Sequence, residues 1–92
     1  MQLSGNNNSR RHATLVDLRR GEVAILDRLD LPGADAHRLM ELGFLPGAQV
    51  MARCSAPGGD PMVFRVDSAE FALRRETARR LKVLRPDRAP LP

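Results

Sequence analysis

The sequence predicts a mostly β fold: a small, partly open barrel with one short helix inserted after its first strand and a helical turn before its last. Three observations carry this prediction. Short apolar stretches alternate with period two near 48–55, 62–66 and 70–75, the mark of half-buried strands. Gly- and Pro-containing turns separate them at 30–33, 46–47 and 56–61. With 92 residues the chain supports one domain, and many short strands in so small a domain remove most of their edges by curling into a barrel.

Residues 1–13 hold Gln, Asn, Ser, Gly and two arginines. They carry too little apolar surface to hold themselves in place and read as a disordered N-terminal tail that includes His12. The stretch from Thr14 to Gly21 has Leu15 and Leu18 three apart, which suits a single helical or 3₁₀ turn. Residues 22–29 are rich in Val, Ile and Leu and read as a strand of imperfect alternation, in which Val23 and Ile25 share a face with Asp27 while Ala24 and Leu26 share one with Arg28.

The loop Asp30-Leu31-Pro32-Gly33 leads to a helix over 34–42, with Asp35 in its first turn, where negative charge suits the dipole. Ala36, Leu39 and Met40 fall on its apolar face. Gly43 stands where a helix end calls for a left-handed residue, and Phe44 and Leu45 are expected to turn back onto the core. Pro46-Gly47 is a turn pair. Helix, corner and strand start thus occupy 36–50, and the remaining elements are expected to pack on that elbow.

Over 48–55, Val50, Ala52 and Cys54 fall on one side and Gln49, Met51 and Arg53 on the other. Met62, Phe64 and Val66 are expected inward, as are Phe71 and Leu73, with 62–66 and 70–74 forming an antiparallel hairpin across 67–69. A helical turn over 77–81 and a closing strand over 82–84 complete a folded part spanning 14–84. A Pro-rich C-terminal tail takes 85–92.

Composition excludes several functions. A single cysteine, Cys54, leaves no internal disulfide. No stretch approaches the ~20 apolar residues of a membrane span, and no signal peptide is read at the N-terminus, so a cytoplasmic protein is expected. The net charge of +4 suggests nucleic acid, but residues 14–84 hold eleven basic and ten acidic side chains, so that part stands at +1. A body so balanced lacks the electrostatic footprint of a phosphate-binding surface. There is no Trp or Tyr for base stacking. Gly58-Gly59-Asp60 lacks the Lys-Ser/Thr of a phosphate loop. No catalytic constellation is present, and Cys54 reads as a small core hydrophobe.

The residues Leu15-x-x-Leu18-x-x-Gly21, Leu39-x-x-Leu42-Gly43-Phe44-x-Pro46-Gly47, Ala56-Pro57, Gly59-Asp60-Pro61 and Ala72-Leu73-Arg74-Arg75 with Ala78 after them together resemble the ferrous iron transport protein A (FeoA) family over about 14–84. One departure is Ser68, where the family usually carries a Gly in the hairpin turn. The resemblance implies an SH3-like barrel with a helical insertion and an accessory, non-enzymatic role in bacterial ferrous iron uptake. It implies a partner, the membrane ferrous iron permease (FeoB) with its GTP-binding domain, and no small-molecule substrate. The same barrel occurs as the C-terminal domain of metal-dependent repressors, so a nucleic-acid-binding or metal-sensing barrel is the alternative.

Two sets of candidate site residues follow. His37 and Glu41, at i and i+4 on the exposed helix face, can share a divalent metal such as Fe²⁺ or Zn²⁺. Two ligands are not a site, and the others would have to come from Asp35, Asp60, His12 or a second molecule, giving a metal-bridged homo-oligomer; no cofactor is required. The bland alternative is a solvated face with a weak i,i+4 contact. Leu45, Met51, Arg74, Arg75 and Arg79 are the candidate partner contacts. Arg74, Arg75, Arg79 and Arg80 form a basic cluster suited to an acidic surface, while an exposed Leu45 or Met51 would mark an apolar contact. Against this, Arg79 and Arg80 can be ordinary solvated charge paired to Glu76.

Overall fold

The computed structural model describes residues 10–86. Its six strands are β1 (Arg10–Thr14), β2 (Val23–Leu29), β3 (Gln49–Ser55), β4 (Met62–Val66), β5 (Ala69–Leu73) and β6 (Leu81–Pro86). Two helices, α1 (Gly33–Leu42) and α2 (Arg75–Ala78), and 3₁₀ turns at Leu15–Asp17 and Pro57–Gly59 join them. The strands form one antiparallel sheet in the order β1-β6-β2-β3-β4-β5. Side chains from one face of this sheet gather with Leu15, Leu18, Leu39, Phe44 and Ala78 into a single core, so the sheet wraps around its own apolar face.

The expected inward set of the hairpin holds: Met62, Phe64, Val66 and Leu73 are buried, and Phe71 is half-buried with its ring centroid 5.6 Å from that of Phe44. The departure at Ser68 has a local explanation. Asp67, not Ser68, takes the left-handed conformation, at φ 56°, and Asp tolerates it because its short polar side chain can bond the local backbone.

Several expectations need correction. Residues 10–13, read as tail, form most of β1 and pair with β6, Ala13 opposite Val83 and Thr14 opposite Lys82. A polar strand gains its place from backbone pairing to a neighbour, which leaves no periodicity to read. The rest of the expected N-terminal tail, 1–9, lies outside the described residues, as does 87–92 of the C-terminal one; Arg85 and Pro86 belong to β6. The last helical turn begins at Arg75, two residues earlier than expected.

Two irregularities in the ladder redirect side chains. The register of β3 on β4 shifts between Ala52 and Cys54, so that Cys54 pairs with Val63 and Ser55 with Met62. The extra residue rotates the strand, and Cys54, expected in the core, is exposed. A second shift, between Leu26 and Arg28 of β2, lets Leu29 face the core beside Leu81 while Arg28 stays outside. It resolves the imperfect alternation of this strand, whose buried residues are Ala24 and Leu26.

Candidate partner-binding surface

The elbow at the end of α1 owes its shape to its backbone. Gly43 lies at φ 113°, a region that a Cβ resists. From there its N–H reaches the Met40 carbonyl at 3.0 Å, and the Phe44 N–H reaches Leu39 O at 3.1 Å. These are the paired bonds of a Schellman helix end. They fold Phe44 into the core, where it is fully buried. The turn at Pro46-Gly47 closes with the Ala48 N–H donating to Leu45 O at 2.9 Å, and is pinned to β2 by the Gly47 N–H donating to Leu26 O at 2.7 Å.

This fold-back decides which apolar side chains remain outside. Ala36 and Leu39 are buried, as is Phe44, but Met40, expected beside them, is 36% exposed. Leu42 is 44% and Leu45 48% exposed. The three large exposed hydrophobic side chains among the described residues therefore fall within one short stretch at the C-terminal end of α1. Of the two apolar contact candidates, Leu45 stands free. Met51 is half-buried and lines a shallow depression with Val23, Val50, Arg65 and Asp67. Sequence reasoning missed Met40 and Leu42. The end of the helix was legible, but not that Phe44 would be fully buried while Met40 stands partly outside.

The basic cluster divides. Arg74 and Arg79 are exposed, as is Arg80. Arg74 flanks a groove of about 330 Å³ between α1 and β5, with Arg38, Asp35, Leu31, Leu39 and Leu73 as neighbours. Arg75 has a structural task instead. Its backbone N–H donates to Asp60 Oδ1 at 3.0 Å, and its guanidinium lies 3.4 Å from Gly59 O and 3.7 Å from Met62 Sδ. It holds the 57–61 loop against the start of α2. The ion pairs among the described residues do not couple Arg79 or Arg80 to Glu76.

His37 and Glu41 do meet: Nε2 lies 3.0 Å from Oε2, both side chains largely exposed. The contact attracts as an ion pair only when the imidazole is protonated. No third donor joins them, and among the described residues no three His, Cys, Asp or Glu side chains converge. Asp60 is engaged with Arg75, and His12 sits on β1 opposite Leu84. Zinc takes four ligands, so one imidazole and one carboxylate do not make a metal centre among the described residues of one chain.

No helix among the described residues is long and apolar enough to cross a membrane.

A family model for the FeoA domain matches residues 13–85. A fusion of Fe(2+) transport protein A with the Fe(2+) transporter FeoB from Porphyromonas gingivalis is 32% identical over 69 residues, 75% of this chain. The chain spans only 8% of that relative's length. The solution structure of iron(II) transport protein A from Clostridium thermocellum is 30% identical with a TM-score of 0.74, covering 78% of this chain and 44% of that one. The crystal structure of Stenotrophomonas maltophilia FeoA is 38% identical with a TM-score of 0.66, over 76% of this chain and 87% of that one. That protein is described as a prokaryotic SH3-domain protein complexed with zinc, and as a candidate activating factor of bacterial ferrous iron transport.

Proposed function

The chain belongs to the FeoA family, and we propose that it is a non-catalytic accessory protein of bacterial ferrous iron uptake that docks on the FeoB-type permease. The observation that carries this reading is the Porphyromonas gingivalis relative, in which a segment like this chain is joined to FeoB in one polypeptide. A covalent link holds two modules at high effective concentration, which serves a contact between them. The SH3-like barrel supplies a rigid support, and the exposed end of α1 supplies the contact. Met40, Leu42 and Leu45 offer apolar area there, and Arg74 and Arg79 offer charge to an acidic rim.

The test is capture of the permease's soluble GTP-binding domain by this protein, with and without guanine nucleotide. Saturable binding that Leu45→Asp abolishes is the expected result. Equal capture by wild type and variant would reject Leu45 as a contact, and no capture in either nucleotide state by the isolated domain or the full permease would reject the partner.

A further inference from the structure

We propose that the free edge of β5 pairs with the same edge of a second copy, making a weak two-fold dimer that needs no metal. β5 ends the sheet, with β4 on one side and no strand on the other among the described residues. The two-residue turn at Asp67-Ser68 makes Val66 and Ala69 a hydrogen-bonded pair, as are Phe64 with Phe71 and Met62 with Leu73. The N–H and C=O groups of Glu70 and Ala72 therefore point away from β4. Neither residue's backbone has a partner in the turns and loops of the described residues.

Sheet edges are usually blunted by Lys, Pro or a bulge. β5 reads Ala-Glu-Phe-Ala-Leu and pairs with β4 without a register shift. It is short and free of bulges.

The segment Glu70-Phe71-Ala72-Leu73-Arg74 is complementary to itself when reversed. Only Glu70, Ala72 and Arg74 can occupy hydrogen-bonded positions on this edge. With Ala72 opposite Ala72 of the second copy, Glu70 faces the other chain's Arg74 on both sides of the axis, and Phe71 faces Leu73. The register with Glu70 opposite Glu70 would set two carboxylates against each other, which is unfavourable. Arg74 can join the ladder through its N–H alone, donating to the second copy's Glu70 carbonyl, because its backbone is extended, at φ −66° and ψ 148°. The ladder stops there, because its carbonyl already accepts from the Thr77 and Ala78 N–H groups at 2.9 Å.

Space and charge permit the pairing. The groove of about 330 Å³ between α1 and β5, lined by Leu31, Leu39 and Leu73 and by Asp35, Arg38 and Arg74, opens beside this edge. Glu70 now bonds Arg53 at 2.7 Å, a solvent-exposed pair whose loss matters little. Five residues a side bury less than the roughly 1,200 Å² of a stable interface, so association is concentration-dependent.

Sedimentation equilibrium in EDTA, from micromolar to millimolar protein, tests this against the 10.2 kDa monomer mass. Wild type is expected to dimerise. Glu70→Arg and Arg74→Glu should each weaken association at least about tenfold, and the double exchange should restore it. Ala72→Pro removes an N–H that β4 does not use, so it should abolish dimerisation; circular dichroism checks its fold, and the charge variants stand if it unfolds. A wild type that stays monomeric at millimolar concentration, a dimer lost in EDTA, or one indifferent to these substitutions would overturn the proposal.

Discussion

Arg85 and Glu22 are bound through two hydrogen bonds, Nε to Oε2 at 2.7 Å and Nη2 to Oε1 at 2.9 Å. Glu22 also accepts from the Arg19 N–H at 2.9 Å. One carboxylate thus ties β6 to the approach to β2 and to the segment after the first 3₁₀ turn. Both side chains are largely shielded, each 26% exposed, so water competes with the pair less than at an open surface. Residue 85 falls in the stretch that the sequence reads as a tail, and nothing near it in the sequence marks it as a partner of Glu22.

This pair makes stability depend on pH. The hydrogen bond from Arg85 is the main cause that holds the Glu22 carboxyl below its ordinary value of 4.5. A depressed carboxyl contributes stability that is fully present above that value and is lost as pH falls through the depressed one. Glu22→Gln is expected to cost about 1–2 kcal/mol at neutral pH. It should also flatten the stability curve below about pH 4.5. Urea denaturation at pH 7 and pH 3 measures both, and a variant as stable as wild type at pH 7 would remove the pair from the account.

Gly43 and Gly33 make a contrasting pair. Gly43→Ala places a Cβ at φ 113°, 3.4 Å from Val66 Cγ1, and is expected to destabilise by about 1–3 kcal/mol. Gly33→Ala meets nothing within 4 Å and has no positive φ, so it should be neutral or stabilise by up to about 1 kcal/mol. Thermal unfolding of the two variants side by side decides whether the helix end depends on the left-handed residue.

Leu45→Asp should separate binding from folding. Its side chain is 48% exposed, so the change is expected to shift stability by no more than about 0.5 kcal/mol while abolishing capture of the permease domain. Met51→Asp is a harsher exchange, because Met51 is half-buried, and should lower both. Loss of stability in Leu45→Asp equal to that in Met51→Asp would show that Leu45 is a packing residue.

Zinc titration checks the His37–Glu41 pair. Since the described residues of one chain bring only two donors together, any tight site is expected to recruit a second chain, with a stoichiometry of at most one metal per two chains, and to vanish in His37→Ala. A one-to-one site on a monomer would contradict the geometry.

Much of the fold was legible because it rests on local chemistry. Alternation at 62–66 picked out the inward Met62, Phe64 and Val66, and Gly43 marked the end of α1 where it lies. Which candidate side chains stand exposed was legible only in part. Leu45, expected to turn back onto the core with Phe44, is 48% exposed instead, and Arg75, grouped with the basic contacts, serves the 57–61 loop through Asp60 and Gly59. A backbone N–H bond to a residue fifteen positions away leaves no trace in local pattern.

By itself the sequence determined a small aliphatic core, a brief helix closed by a left-handed glycine, and a hairpin, together with the motifs that mark the family. Each follows from residues close to one another in the chain. Tertiary structure alone decided that the mostly polar residues 10–14 form a strand, that an added residue in β3 turns Cys54 outward, that Met40 stands partly outside the core, and that Arg85 finds Glu22. These outcomes depend on which strands become neighbours, and pairing between distant segments is a choice among global arrangements that no short window of sequence encodes.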